Sequence, residues 1–236
     1  MKALYRLSRR IAGFDFFSWL MLAQAAGATE VVFDPDSPKT NKWPEREVLK
    51  RFESILLPGP ALAGMPVSIG KEGEDFWETD MRYLIAHVRD GKPIQRLRSV
   101  LPPAKERYTV TIRRTERRPE RNSNEPAWRA FAAEIGARVI EDYDVEPIGL
   151  HERMALYAGA EMNFFLCNGP LHICGLSEYP LMCFRCDQMV GALEATGIAR
   201  GEQYPWHRPN QRLIYEPDEL PVLRRHFKMW RETVEA

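Results

Sequence analysis

The chain lacks a charge excess, a long apolar run and any internal repeat. Its 236 residues include 33 basic and 33 acidic side chains, so the formal net charge is zero. A general nucleic-acid binder would carry a basic excess on one face or tail, and the balance argues against that class. No apolar run is long enough to span a bilayer. With 44% hydrophobic residues, the composition is that of a globular protein with one large or two small domains.

Cysteine is also scarce, with four residues in the whole chain. This number does not suggest a disulfide framework, and it favours a reducing, cytoplasmic location. Cys183 and Cys186 form a C-x-x-C pair that invites a zinc or redox interpretation. Cys183, however, lies in the apolar run YPLMCF, and the spacing of Cys167 and Cys174 is not that of a zinc knuckle. We interpret these cysteines as buried structural thiols and keep metal or redox chemistry as the alternative.

The N-terminal segment can be interpreted in two ways. Residues 1–28 have basic residues, an apolar stretch and small residues at the end, which is the outline of a signal peptide and would imply export. Asp15 interrupts that apolar stretch. The same residues fit a strand, a helix over 16–26 and a second strand from 29, and we favour this β-α-β start.

Strands and helices alternate along the chain, which predicts an α/β fold with parallel sheets. Pro102-Pro103 divides the chain into two small Rossmann-like lobes, residues 1–103 and 104–236. The predicted strands cover 2–7, 29–34, 54–58, 65–70, 108–113, 138–142, 162–167 and 180–184. The predicted helices cover 16–26, 43–53, 75–89, 125–136, 150–159, 171–177 and 218–234.

Ligands of such sheets bind beyond the carboxyl ends of the strands. The rule selects three loops of the second lobe: 113–125, 143–150 and 167–172. The first loop has five arginines within nine residues, namely Arg113, Arg114, Arg117, Arg118 and Arg121. Guanidinium groups match phosphate oxygens, so the loop is a candidate phosphate site.

Two asparagines support a helix start at the end of this arginine loop. Asn122 and Asn124 precede Pro126, and Asn124 is placed as the N-cap of the helix, whose free N–H groups also favour anions. The alternative is a solvated loop whose arginines pair with Glu116 and Glu120.

The other two loops add weaker candidates. Asn168, Gly169, Pro170 and His172 join a buried strand to a short helix and could hold a phosphate or ribose. A plain tight turn with a structural histidine is the alternative. In the middle loop, Arg153 could point back into the same cleft.

These residues carry a resemblance to glycosyltransferases of the GT-B type. Gly169, Pro170 and His172 resemble the Gly-Pro-x-His of the lipopolysaccharide heptosyltransferases. Arg113, Arg114 and Thr115 are similar to the arginine loop that holds the diphosphate of GDP-fucose in α-1,6- and nodulation fucosyltransferases. The resemblance covers residues 108–186. The chain departs from the family in its short length and in Thr111, which stands where the fucosyltransferases have a histidine.

The resemblance implies a metal-independent transfer of a sugar from a nucleoside diphosphate to a glycan or other hydroxyl, as in polysaccharide biosynthesis, without a cofactor. Arg113 and Arg114, assisted by Arg117, Arg118 or Arg121, would then bind the diphosphate and stabilise its charge. We interpret the nearest acidic pair, Asp34 and Asp36, as a turn and not as a metal motif.

Such a transfer needs a general base, and the sequence offers several carboxylates. Asp15 is a candidate, although we favour its interpretation as the N-cap of the helix that begins at Phe16. Glu116 and Glu120 are its rivals.

Two other classes of function stay open. One is a binding module that recognises a nucleotide or phosphorylated ligand without turnover, and the other is a nucleotide-sugar epimerase or hydrolase. A Rossmann dehydrogenase is disfavoured because no G-x-G-x-x-G follows the first strand. The sequence specifies neither the donor nucleotide, nor the acceptor, nor an oligomeric state.

Overall fold

The computed structural model describes residues 1–38, 40, 43–75, 81–116, 118–143 and 148–235. It shows an α/β fold with two parallel sheets, arranged as two Rossmann-like lobes. The strands are β1 (Lys2–Arg6), β2 (Glu30–Asp34), β3 (Val67–Ile69), β4 (Tyr108–Arg114), β5 (Arg138–Tyr143), β6 (Met162–Leu166), β7 (Leu181–Phe184) and β8 (Gln211–Leu213). The helices are α1 (Phe16–Ala25), α2 (Glu45–Arg51), α3 (Met81–Arg89), α4 (Glu125–Ile135), α5 (Leu150–Gly159), α6 (Gly169–Gly175), α7 (Val190–Ala195) and α8 (Leu220–Val234).

The first sheet has three parallel strands in the order β1-β2-β3. Helix α1 connects its first two strands, so the predicted β-α-β start is confirmed. Phe17, Trp19 and Leu20 of this helix are all at most 1% exposed. A helix that is apolar on nearly all sides belongs in a core, which explains why this short segment resembles a membrane-directed one in sequence. No helix in the described part of the chain combines the length and the apolar character needed to cross a bilayer.

The second sheet has five parallel strands in the order β5-β4-β6-β7-β8. The chain passes from β4 to β5 on one side and then returns to pair β6 with the other side of β4. This reversal of strand order opens a crevice at the carboxyl ends of β4 and β6. The sheet topology therefore places the ends of the first and third predicted loops next to each other.

Helices cover both faces of the second sheet. On one face, α4 and α8 bury Trp128, Phe131 and Leu223 against β4, β6 and β7. On the opposite face, α5 and α6 join a core that continues into the first lobe and includes Tyr5, Phe16 and Tyr157. The two lobes thus share one hydrophobic core.

The segment between the lobes is fixed by backbone hydrogen bonds. The Leu97 amide donates to the carbonyl of Leu176, and the Ala104 amide donates to the carbonyl of Ala155, both at 3.0 Å. Gly159 ends α5 so close to this segment that an added Cβ would lie 1.8 Å from the Ala104 oxygen. Only glycine fits there.

One predicted strand is wrong, one predicted helix lies partly outside the described residues, and one helix was not predicted. The predicted strand over 54–58 is wrong, because α2 continues into a π-helical turn over Phe52–Leu56 that buries Phe52, Ile55 and Leu56. A short apolar run does not by itself distinguish a strand from a buried helix. The predicted helix over 75–89 is described from Met81 onward, and residues 76–80 lie outside the described residues. The sequence also did not predict α7.

We expect Gly159→Ala to lower the free energy of unfolding by about 1–3 kcal/mol, because the new methyl group would overlap the Ala104 carbonyl. Gly191→Ala in α7 is the matched control, since an added Cβ there has nothing within 4 Å. Alanine is the better helix former, so the control should be as stable as the wild type or slightly more stable. Urea unfolding measures both, and equal losses in the two variants would contradict the close contact.

Candidate functional site

A cleft of about 490 Å³ lies between the two lobes, at the carboxyl ends of β4 and β6. Its described lining is strongly basic, with six cationic side chains and two carboxylates. The cationic residues are Lys50, Arg51, Arg113, Arg118, Arg121 and Arg153. The carboxylates are Asp15 and Glu47. A chain with no net charge therefore concentrates positive charge at one place.

The alternation of side chains along β4 determines which arginine enters the cleft. Successive side chains of a strand point to opposite faces, so Arg113 shares a face with Thr111, and Arg114 points the other way. Arg113 lines the cleft, whereas Arg114 lies outside its described lining, with a side chain 64% exposed and 4.0 Å from Glu125. The structure thus separates two neighbours that the sequence assigned to the same task.

Arg113 is held in place by its own loop. Its Nη1 donates to Asn122 Oδ1 at 2.7 Å, and its Nη2 donates to Thr115 Oγ1 at 3.0 Å. Asn122 also accepts from the Thr115 amide at 2.9 Å and donates to the Thr115 carbonyl at 3.0 Å. Asn122 lies outside the described cleft lining. Its role in the structure is to clamp the loop, and this fixes the position of the Arg113 charge.

A buried carboxylate anchors the far end of the same loop. Asp218, 4% exposed, accepts from the Asn124 amide at 2.8 Å and from Trp128 Nε1 at 2.7 Å. Its other oxygen lies 3.4 Å from Arg185 Nε, and Arg185 donates to the Asn122 carbonyl at 2.5 Å. Asn124 occupies the N-cap position of α4, but its side chain makes no capping hydrogen bond within the described chain. Asp218 satisfies the Asn124 amide instead, at a separation of 94 residues along the chain.

The first lobe contributes the opposite wall. Asp15 precedes α1, is exposed, and lines the cleft. Its side chain makes no capping hydrogen bond among the described residues, so the predicted N-cap role for the side chain is not seen. Arg51 stacks over Trp43 at 4.2 Å and pairs with Glu47 at 2.7 Å.

Sequence reasoning did not select Lys50 and Arg51 as site residues. The local signal for a site here was a pair of basic residues in the last turn of a helix. Such a pair is equally typical of a favourable interaction with the helix dipole, so it does not indicate a site.

The third predicted loop also reaches the cleft, through Asn168, Gly169, Pro170 and His172. An added Cβ on Gly169 would lie 2.4 Å from the ring of Phe14. This glycine therefore allows the two lobes to come into contact. The sequence had instead suggested a position where the backbone approaches a ligand. The Nδ1 atom of His172 is buried and has no hydrogen-bond partner among the described residues.

Arg153 forms part of the base of the cleft. It is 2% exposed and its Nη1 donates to Tyr157 Oη at 3.2 Å. The Thr111 hydroxyl lies 3.1 Å from the same phenol oxygen, and burial raises the pKa of Tyr157, which keeps the phenol neutral. The sequence suggested that Arg153 points back to the cleft, and the structure places it there.

The remaining candidates lie elsewhere. Glu116 is exposed and stands outside the described cleft lining, and so does Glu120. Arg117 lies outside the described residues. Asp34 accepts a hydrogen bond from the Asp36 amide at 3.2 Å, as expected for the predicted turn. Across the described ranges, no group of three or more histidine, cysteine or acidic side chains is arranged to hold a metal ion.

Comparison of the chain with protein-family models, with curated proteins and with solved structures finds no match. The geometry of the cleft is therefore the basis for inferring a function.

We expect Asp218→Ala to lower the free energy of unfolding by about 3–5 kcal/mol, because the substitution leaves Arg185 and two buried N–H donors without their carboxylate. Asp90→Ala is the control, since the Asp90 carboxylate is 64% exposed in its pair with Lys92. Exposed pairs contribute little, so this variant should unfold at nearly the wild-type urea concentration. Similar midpoints for the two variants would show that Asp218 does not anchor the loop.

Proposed function

We propose that the cleft binds the diphosphate of a nucleoside-diphosphate sugar and that the protein is a metal-independent glycosyltransferase. The observation that carries the proposal is the set of six cationic side chains at the strand-order reversal of the second sheet, facing Asp15 of the first lobe. A volume of about 490 Å³ is within the range of small-molecule sites. The proposal keeps the cytoplasmic location that the cysteine content favours.

The arrangement of charge suits a diphosphate. Arg113, Arg118 and Arg121 come from one loop, Arg153 comes from the helix below it, and Lys50 and Arg51 come from the other lobe. Guanidinium groups from several directions can bind several phosphate oxygens at once. The loop hydrogen bonds of Arg113 hold its charge in place before a ligand arrives.

The proposed reaction breaks the bond between the sugar carbon and the diphosphate oxygen and forms a bond from that carbon to the acceptor oxygen. Negative charge grows on the departing diphosphate, and arginines fixed around it stabilise that charge more in the transition state than in the ground state. These cations supply the charge stabilisation that a metal ion provides in other transferases.

Asp15 is the residue we propose as the base that takes the proton from the acceptor hydroxyl. It is one of two carboxylates in the described cleft lining, and the other, Glu47, is paired with Arg51 at 2.7 Å. Its rivals Glu116 and Glu120 lie outside that lining. Asp15 also comes from the lobe that faces the arginine loop, where an acceptor would enter.

We expect one of GDP, UDP, ADP or dTDP to raise the melting temperature of the wild type. The same nucleotide should bind at least roughly tenfold more weakly to Arg113→Gln and Arg121→Gln, because each variant loses a charge-assisted contact worth about 1.5–3 kcal/mol. Arg114→Gln is the matched control, since it removes the same charge from the next residue, outside the described lining. Calorimetric titration gives the dissociation constants.

Two results would contradict a diphosphate site. One is that no nucleotide stabilises the wild type. The other is that Arg114→Gln weakens binding as much as Arg113→Gln does.

We expect Asp15→Asn to bind the same nucleotide with unchanged affinity and to release it from the sugar nucleotide about 10²–10⁴-fold more slowly, because the amide cannot accept the hydroxyl proton. Asp36→Asn is the control, since Asp36 is 61% exposed in a turn outside the described lining. Nucleoside-diphosphate release with a panel of sugar acceptors measures the rate. Binding without turnover in the wild type would favour the non-catalytic module, and release that needs no acceptor would favour a hydrolase.

A further inference from the structure

Three of the four cysteines meet at the base of the cleft. Phe165 of β6 pairs with Cys183 of β7, and Cys167 follows two residues after Phe165 on the same face. After β7 the chain turns at Arg185, which has φ of 57°, into a 3-10 turn that brings Cys186 back. The Cys183 and Cys186 sulfurs lie 3.7 Å apart, and the half-buried Cys167 packs against the cluster that contains both residues.

The three thiols differ in their access to solvent. Cys183 and Cys186 are 0% exposed, whereas Cys167 is half-buried and lines the cleft. A reagent in the cleft can therefore reach one sulfur of the cluster and has no direct path to the other two.

Arg121 and His172 lie beside the accessible thiol. The carbonyl of Cys167 accepts a hydrogen bond from Arg121 Nη2 at 3.0 Å, and His172 lines the same part of the cleft. The neighbouring thiols of Cys183 and Cys186, together with His172 and Arg121, hold the pKa of Cys167 well below its usual value. Burial raises the pKa of Cys183. The cysteine that solvent can reach is thus also the one whose thiol loses its proton most readily, and the thiolate is the nucleophilic form.

We propose that Cys167 is a nucleophilic modification site that reacts with thiol-directed electrophiles, and that a hydroperoxide oxidises it to a disulfide with Cys186. The reactivity of Cys167 does not require the proposed sugar transfer, although Cys167 lines the same cleft and its carbonyl accepts from Arg121. It also differs from the structural role that the sequence suggested for the C-x-x-C pair.

The oxidation proceeds in two steps. The Cys167 thiolate attacks one oxygen of the hydroperoxide, the O–O bond breaks, hydroxide or alkoxide leaves, and Cys167 becomes a sulfenic acid. The Cys186 sulfur then attacks the Cys167 sulfur, the S–O bond breaks, and water leaves with the thiol proton. The two cysteines together supply the two electrons that reduce the peroxide.

Cys186 is better placed than Cys183 to complete the disulfide. Cys183 lies within β7, which pairs with β6 on one side and β8 on the other. Cys186 lies in the 3-10 turn beyond the strand. The Cys186 amide donates to the Ile214 carbonyl at 3.1 Å, just beyond the paired residues of β8. A shift of the turn toward Cys167 therefore breaks this one bond and leaves the pairing of β7 intact. The shift is needed because the sulfurs of a disulfide lie about 2 Å apart.

The first experiment alkylates the native full-length protein with iodoacetamide and follows the intact mass. We expect one rapid adduct, located on Cys167 by peptide mapping, with a rate that changes less than about threefold between pH 6 and pH 8. An ordinary thiol with a pKa of about 8.5 would slow roughly 75-fold over that interval. Cys167→Ser should lose the rapid adduct, and Cys174→Ser, which removes a buried thiol of similar exposure to Cys183, should keep it.

The second experiment treats the wild type with hydrogen peroxide and maps its peptides. We expect a Cys167–Cys186 disulfide and a loss of about 2 Da, the mass of two hydrogens. Cys186→Ser should instead accumulate a sulfenic acid that dimedone traps, and Cys183→Ser should still form the disulfide.

The proposal would be overturned if the wild type formed no adduct until it was unfolded, or if the rapid adduct survived in Cys167→Ser. A peroxide product that links Cys183 to Cys186, with Cys167 unmodified, would also overturn it. The wild-type adduct and peptide map decide these points even if a variant does not fold.

Discussion

The architecture depends on the pairing of β4 with β6. The register Val110 with Phe164 brings together two strands that are separated in the chain by α4, β5 and α5. Because both strands are parallel, their carboxyl ends open at the same edge, and the loops that follow diverge to opposite faces of the sheet. For this reason the arginine loop and the Asn168-Gly169 turn start next to each other, and the cleft lies between them.

The concentration of positive charge in this cleft is compatible with a neutral protein because acidic residues elsewhere balance it, and many described charges form ion pairs at the surface. Arg107 with Glu161 and Arg224 with Glu134 are exposed pairs of this kind, which cost little and contribute little. In the cleft, by contrast, the described cations outnumber the carboxylates. Buried anchors such as Asp218 hold the arginine loop in place although its cations repel one another. This repulsion lowers the folding stability, and a bound anion would reduce it.

Close backbone contacts make the two lobes one body. Gly169 touches Phe14 and Gly159 touches Ala104, and in each case a side chain would collide with the other lobe or with the connecting segment. The shared core adds Phe16 and Tyr157 from the two sides. The opposing walls of the cleft, with Asp15 on one and Arg113 on the other, therefore have a defined relation to each other. The three clustered thiols lie beneath the same walls. Because Arg121 donates to the Cys167 carbonyl, a chemical change at Cys167 would alter the position of the Arg121 guanidinium.

Local sequence patterns determined the elements and the loops of this protein. Alternating strands and helices predicted the parallel α/β lobes, and the position of Arg113 at the end of an apolar strand predicted its place at a sheet edge. The same local reasoning failed at residues 54–58, where a short apolar run fits a strand and a buried helical turn equally well.

Only the tertiary structure decided which of these residues meet. Arg113 enters the cleft and Arg114 does not, because the pleat turns successive side chains to opposite faces. Asp218 anchors the start of a helix 94 residues away in the chain. Arg51 lines the same cleft as the arginines of the other lobe. Neither contact produces a periodic pattern or a characteristic spacing in the sequence. Sequence patterns report a residue's own strand or helix, whereas a site depends on how several elements pack together.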